Sequence, residues 1–172
     1  MISLHTGSHL LNRLSIILPA KNEAPALAAL LPRLRAAHPE AEIIVVDDGS
    51  IDDTRSICKS SGVECLSSPY SMGNGAAIKR GARAATGDLL VFMDADGQHD
   101  PADIPRLLAK LDEGFDMVVG ARNWEGQAGV GRGVANTFYN WLASKMTGHP
   151  VLDLTSGFRA VRADKFREFI HL

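Results

Sequence analysis

A three-layer α/β sandwich on a mostly parallel sheet is the fold class the sequence predicts, and three observations predict it. Short apolar runs alternate along the chain with segments of helical period. The polar, Gly-rich and carboxylate-rich segments follow the apolar runs. At 172 residues, 45% apolar and 22% charged, the chain has the make-up of one ordinary folded domain, with no linker, low-complexity tract or internal repeat.

Each element follows from its pattern. Residues 14–18 (LSIIL), 42–46 (EIIVV), 63–66, 89–93 (LLVFM) and 117–119 (MVV) read as strands buried on both faces, as parallel strands under helices are. Leu27, Leu30, Leu31 and Leu34 recur at helical spacing, as do Ile104, Leu107, Leu108 and Leu111, so each set lays one apolar stripe on a helix. Ala76, Ala77, Gly81, Ala82 and Ala85 give a helix with a small contact face, able to lie close to a sheet or to a ligand's phosphates. Val134, Phe138, Trp141 and Leu142 mark a further long helix, 158–161 a last strand and 166–172 a short closing helix. Alternation of this kind places ligands at the carboxyl ends of the strands. Segments 19–23 (PAKNE), 47–54 (DDGSIDDT), 94–101 (DADGQHDP) and 120–122 are all expected there.

Charge and cysteine content narrow the partners. Eighteen Lys and Arg against 20 Asp and Glu give a net charge of −2, which argues against bulk electrostatic binding of nucleic acid or an acidic membrane and leaves room only for a local basic patch. Cys58 and Cys65 match no zinc or redox spacing and read as reduced, partly buried thiols of a cytoplasmic protein. No apolar stretch approaches the roughly 20 residues that span a bilayer. Residues 1–13 read as a flexible lead-in with solvent-facing His5 and His9, lacking the basic and apolar regions of a secretory signal.

The carboxylates carry the chemistry. Asp94 and Asp96 follow the strand LLVFM two positions apart; in extended backbone their Cα atoms lie about 6.5 Å apart on one side, within reach of one divalent ion. Gln98 could add an amide oxygen, and His99 lies in the same loop. The plainer reading is that Asp94 starts a turn and Asp96-Gly97 is a turn dipeptide. Asp47 and Asp48 end the strand EIIVV, and two adjacent like charges there call for a cation or a hydrogen-bond donor such as a nucleobase N–H. Asp52, Asp53 and Thr54 read as caps of the next helix, while Asn22 and Glu23 reach the same sheet edge and also suit a helix cap. An aspartate pair after one strand and a further aspartate after a later one also suits a receiver-like signalling domain. Against that stands the order of elements, since a full strand and helix precede the pair.

Taken together, LSIILPAKNE, EIIVVDDGSIDDT, MGNGAAIKRGARAATGDLLVFMDADGQHDP, VVGARN and DLTSGFRA resemble glycosyltransferase family 2, most closely its dolichyl-phosphate mannose synthase and bacterial polyprenyl-phosphate glycosyltransferase branch. The resemblance implies the nucleotide-diphospho-sugar transferase fold, a half-Rossmann architecture of glycosyltransferase A type, with residues 14–172 as one catalytic domain. It places Pro19, Lys21, Glu23, Val46, Asp48, Asp94 and Ala95 around the nucleotide sugar; many relatives carry an aromatic where Lys21 stands. Asp94, Asp96 and Gln98 are implied as holders of magnesium or manganese, and Asp96, Asp153 and Arg122 as the catalytic set. Arg122, Arg132, Ser156 and Arg159 are implied at the acceptor phosphate.

The implied reaction is metal-dependent and inverting, from a GDP- or UDP-linked sugar to a polyprenyl phosphate, dolichyl or undecaprenyl. A phosphate acceptor is already ionised at neutral pH and needs orientation and charge screening more than a strong base. An acidic pair and a late glutamine-rich motif, which relatives that extend polysaccharides carry, are not recognisable here. The expected location is the cytoplasmic membrane face, reached through the lipid acceptor or through C-terminal elements that relatives carry beyond the SGFR strand. Against such relatives the chain reads as C-terminally truncated, and a non-catalytic nucleotide-binding fragment is the remaining alternative.

Overall fold

A computed structural model describes residues 13–120 and 156–170, and the expected helix around Val134–Leu142 lies outside them. Six strands form one sheet: β1 (Leu14–Ala20), β2 (Glu42–Asp47), β3 (Glu64–Ser67), β4 (Leu89–Phe92), β5 (Met117–Val119) and β6 (Arg159–Arg162). Their order is β3-β2-β1-β4-β6-β5, with β1, β2, β3 and β4 parallel and β6 antiparallel to both β4 and β5. Helices α1 (Ala24–Ala37), α2 (Thr54–Ser60), α3 (Asn74–Ala84), α4 (Ile104–Asp112) and α5 (Ala163–Ile170) complete the described elements, with a short 3-10 helix over Pro101–Asp103 leading into α4.

Alternation along β1 explains the two cores. Ile16 and Leu18 point to the layer of α1, α2 and α4, where they meet Leu27, Leu30, Leu34, Cys58, Ile104 and Leu111. Ile17 points the other way, with Ile44, Val46, Leu90 and Phe92, toward α3 and Phe166 of α5. Phe92 and Phe166 close that side with ring centroids 4.9 Å apart. The small face of α3 does what its composition predicts: a Cβ on Gly81 would lie 3.0 Å from Val46 Cγ2 and closer still to Ile17.

One expectation needs correcting. The edge strands are not buried on both faces: β3 is exposed at Glu64 and half-buried elsewhere, and Met117 and Val119 of β5 are exposed. Among the described residues, the four inner strands pair along both edges, whereas β3 and β5 pair along one. Helix α1 runs through Pro32, which sits on its exposed side, where a lost backbone bond is open to water. Both cysteines are free thiols; Cys58 is fully buried and Cys65 half-buried, and burial with the neighbouring Cys65 pushes the Cys58 thiol up to about 12.

Candidate active site

The strand order reverses between β1 and β4, since β1 leads outward to β2 on one side and a later strand pairs on the other. Such a switch point opens a crevice at the carboxyl ends of parallel strands. A cleft of about 370 Å³ lies there. Pro19, Ala20, Lys21 and Glu23 enter it from the end of β1, Asp48 from β2, Asp94, Ala95 and Asp96 from β4, and Gly73, Asn74 and Ala77 from the start of α3, with Ser71 beside them.

Pro19, Lys21, Glu23, Asp48, Asp94, Ala95 and Asp96 thus share one cavity. Val46 does not reach it: at 1% exposure it is core, packed under Gly81. Gln98 is exposed and outside the lining; its backbone N–H instead donates to Asp96 Oδ1 at 3.0 Å. That bond belongs to a turn, because β4 ends at Phe92 and the chain turns through Asp94–Gly97, with Gly97 at φ +77. Asp94 and Asp96 therefore meet the cleft from a turn rather than from the extended backbone that their spacing suggests. Among the described residues no three His, Cys, Asp or Glu converge as a closed metal site.

The two adjacent aspartates have separate partners within the chain. Asp47 is fully buried and accepts from Ser50 N at 2.8 Å and Arg55 Nε at 2.5 Å, and Arg55 Nη2 also donates to the Ser68 carbonyl. Burial pushes its carboxyl up, but the bonds from Ser50, Arg55 and Ser67 outweigh it and hold the group below its usual range. Asp48 accepts from Ser71 Oγ at 2.6 Å, Met72 N at 2.6 Å and Gly73 N at 2.9 Å. Burial again opposes, and these bonds with nearby Lys21 keep it low. Asp48 therefore shapes the cleft by pinning the loop that leads into α3, while Oδ1, engaged once, keeps a lone pair for a ligand.

The expected caps are rearranged. Asp53 makes no side-chain cap bond. Asp52 serves two helices, accepting from Ala24 N at 3.1 Å and from Thr54 N and Oγ1. Asn22, at φ +57, ties the PAKNE turn to the Asp47–Thr54 loop through Ser50 Oγ and Ile51 N. Glu23 N donates to Thr54 Oγ1, leaving its carboxylate to the cleft. Burial, then Asp96 and Asp52, push the Glu23 carboxyl up.

Of the residues expected at an acceptor phosphate, Arg122, Arg132 and Asp153 lie outside the described residues. Ser156 and Arg159 are described and do not line the cleft. Ser156 is fully buried, its Oγ accepting from Phe158 N, and Arg159 Nη2 turns back onto the Ser156 carbonyl at 2.9 Å. They build a turn that presents Gly157 to Asp94, so closely that a Cβ on Gly157 would overlap the carboxylate. Phe158 then stacks on His99 at 4.8 Å, and His99 Nε2 lies 4.0 Å from Asp94 Oδ2. Sequence reasoning passed over Ser71, Gly73 and Asn74, whose only signal was the Gly-rich approach to a small-faced helix.

Comparison with known proteins bears on this arrangement. Residues 15–170 match the family described as Glycosyl transferase family 2. The undecaprenyl-phosphate mannosyltransferase of Micrococcus luteus is 37% identical over 168 residues, covering 90% of this chain and 68% of that protein. The undecaprenyl-phosphate 4-deoxy-4-formamido-L-arabinose transferase of Klebsiella pneumoniae is 36% identical, covering 87% of this chain and 49% of that protein. The chain thus spans about two thirds of one curated relative and half of the other. Among solved structures, glucosyl-3-phosphoglycerate synthase from Mycobacterium tuberculosis in complex with Mn2+, UDP and glucosyl-3-phosphoglycerate superposes with a TM-score of 0.72 at 27% identity, over 89% of this chain and 57% of that one. Mannosyl-3-phosphoglycerate synthase from Rubrobacter xylanophilus, at 24% identity and a TM-score of 0.75 over 90% of this chain and 54% of that one, shares the fold. A receiver-like domain is overturned by the family match and by these superpositions.

Proposed function

The chain belongs to glycosyltransferase family 2, and from that premise we propose that it is the catalytic domain, over residues 14–172, of a glycosyltransferase that moves a sugar from a nucleoside-diphosphate donor to a polyprenyl phosphate. One observation carries the donor half. Glu23, Asp48, Asp94 and Asp96 line the cleft against a single cation, Lys21, among the described residues. Four carboxylates repel a bare diphosphate but accept one that arrives with a divalent ion.

The residues present fit such an ion as an open site. Asp94 and Asp96 would hold magnesium or manganese through hard oxygen ligands, leaving positions for the diphosphate oxygens. When bound, the ion supplies charge neutralisation of the departing nucleoside diphosphate. Lys21 and the N-terminal turn of α3, where Gly73 and Asn74 face the cleft, offer the chain's own positive potential to the phosphates. Asp48 and Pro19 form the wall for the nucleoside. The acceptor phosphate oxygen attacks the anomeric carbon in line as the bond to the diphosphate breaks, which inverts that carbon. Arg122 and Arg132 screen the acceptor's charge in this reading and Asp153 orients it.

The acceptor half rests on the DLTSGFRA motif and on the two undecaprenyl-phosphate relatives. Placement at the cytoplasmic membrane face follows from such an acceptor; among the described residues no helix is long and apolar enough to cross a membrane. The test is a thermal-shift panel of UDP, GDP and their sugars with and without manganese, followed by transfer of labelled sugar to undecaprenyl phosphate. A metal-dependent shift with one base, and label in the lipid fraction, are the expected results. No shift with any nucleotide would reduce the chain to a non-catalytic domain.

A further inference from the structure

Asn22 is the only residue other than glycine with a positive φ among the described residues, at +57°. In that region an L side chain crowds the following carbonyl, and Asn tolerates it because its short carboxamide can hydrogen-bond close by. Here the bond reaches further. Asn22 Oδ1 accepts from Ile51 N at 2.9 Å, and Asn22 N donates to Ser50 Oγ at 2.9 Å. The next two residues continue the attachment: Glu23 N donates to Thr54 Oγ1 and Ala24 N to Asp52 Oδ2, each at 3.1 Å. The short link between β1 and α1 is thereby lashed to the loop after β2. A polar turn bonded to a neighbouring loop is ordinarily plain packing. This one differs in what flanks it, because Lys21 and Glu23 both line the donor cleft and Asn22 does not. An uncommon backbone state persists where the surroundings over-determine it, and such positions cluster at functional sites.

On the reading of the cleft as a donor site, we infer that Asn22 is a positioning residue: through Oδ1 and its left-handed turn it sets where Lys21 and Glu23 stand. The loop it is tied to is itself fixed. Ser50 N donates to the buried Asp47 carboxylate, and the backbone of Gly49 lies so close to Tyr70 and Ser71 that a Cβ would overlap them. Ser71 Oγ in turn donates to Asp48. Asn22 therefore refers the end of β1 to the frame that holds Asp48 at the end of β2. Lys21 depends most on this, as the single cation among the described lining residues, carried on a flexible stem whose reach is set by where its Cα stands. Burial opposes ionisation of Asp48 and Lys21 is one of the groups that outweigh it, while burial and then Asp96 push the Glu23 carboxyl up. Both flanking side chains thus act on carboxylates supplied by other strands. A diphosphate carries its charge before transfer as well as during it, so a displaced Lys21 weakens ground state and transition state alike. That raises the donor KM and leaves kcat near its value.

The test compares the full chain with Asn22→Ala, Asn22→Gly and Asn22→Asp, by donor KM and kcat in sugar transfer to undecaprenyl phosphate and by calorimetry of UDP and GDP with manganese. Alanine loses the acceptor and disfavours the left-handed backbone, glycine keeps the backbone alone, and aspartate keeps both. In Asn22→Ala the donor KM is expected to rise about tenfold or more with kcat within about threefold of the wild type. Asn22→Asp is expected within about threefold of the wild-type KM, and Asn22→Gly between the two. Nucleotide affinity should follow the same order. A merely structural role would instead lower the folded fraction, so kcat would fall with KM unchanged. Circular dichroism establishes folding; should Asn22→Ala not fold, Asn22→Gly, unstrained at this φ, is expected to show a smaller rise in KM. A wild type that binds neither nucleotide with manganese overturns the donor-site reading and the role of Asn22 together. Where the wild type does bind, equal affinity in Asn22→Ala, a fall in kcat alone, or an Asn22→Asp no better than Asn22→Ala overturns the role of Asn22 by itself.

Discussion

Gly157 lies so close against Asp94 that any side chain there would overlap the carboxylate. The contact joins the turn before β6 to the turn after β4, and the neighbouring groups hold it. Arg159 closes on the Ser156 carbonyl, Phe158 stacks on His99, and His99 stands 4.0 Å from Asp94. The SGFR motif therefore packs against the cleft and bears on where one of its two β4-end aspartates stands.

Gly157→Ala follows directly. Overpacking by one methyl costs about 1–3 kcal/mol in a closed core, but Asp94 is 34% exposed and can swing away, so the lower end applies. The expected result is a small fall in the thermal midpoint of the free protein together with loss of the manganese-dependent shift with nucleotide. A variant that keeps the metal-dependent shift would show that Asp94 need not stand against Gly157.

Asp94→Asn and Asp96→Asn keep shape and remove charge. If the two carboxylates hold the ion that neutralises the leaving diphosphate, each change should reduce kcat by about 100-fold or more, because stabilisation of developing charge is a large term in such reactions. Raising donor concentration should not restore it. Steady-state kinetics at saturating donor check this, and full activity in either variant would remove that carboxylate from the role.

How far the sequence could be read follows from where each interaction lies. Strand and helix positions were legible because LSIIL, EIIVV and LLVFM are local patterns and because Leu27, Leu30, Leu31 and Leu34 repeat on one helix. The convergence of Lys21, Asp48 and Asp94 was legible too, since each follows a parallel strand and parallel strands end together. What local pattern could not show is pairing at a distance. Asp48 is held by Ser71, Met72 and Gly73 more than twenty positions on, an anchoring of the cleft-side loop that no local pattern shows. Ser156 and Arg159 look like free polar groups in the motif, and only folding shows Ser156 Oγ and one guanidinium nitrogen of Arg159 bonded within their own turn. Val46 failed for the opposite reason. It adjoins Asp47 in sequence but points into the layer under α3.

Gly81→Ala tests that layer. The added Cβ would lie 3.0 Å from Val46 Cγ2 and nearer to Ile17, both buried β-branched side chains with little freedom to move. Alanine's gain of roughly 0.5–1 kcal/mol in helix propensity is opposed by overpacking of about 1–3 kcal/mol, so net destabilisation is expected. Because α3 also carries Gly73, Asn74 and Ala77 into the cleft, lifting it should weaken nucleotide binding as well. Urea denaturation and the nucleotide thermal shift measure the two effects, and a variant as stable as the wild type would mean that α3 can retreat without penalty.

Arg55→Ala addresses the buried carboxylate of Asp47, which is not among the residues lining the cleft. Arg55 and Ser50 hold that carboxyl below its usual range against the opposing effect of burial. A depressed folded value means that the group contributes stability above its unfolded value, about 3.9, and that this contribution is lost as pH falls through the folded value. Removing Arg55 raises the folded value toward the unfolded one, while Ser50 N still donates at 2.8 Å and keeps part of the effect. The variant should therefore melt several degrees below the wild type at pH 7. On acidification below about pH 4 the two midpoints should converge, because protonation of Asp47 removes the charge that Arg55 stabilises. Melting curves across that range decide it. A difference that persists or widens on acidification would show that Arg55 stabilises the fold through its bond to the Ser68 carbonyl instead of through Asp47.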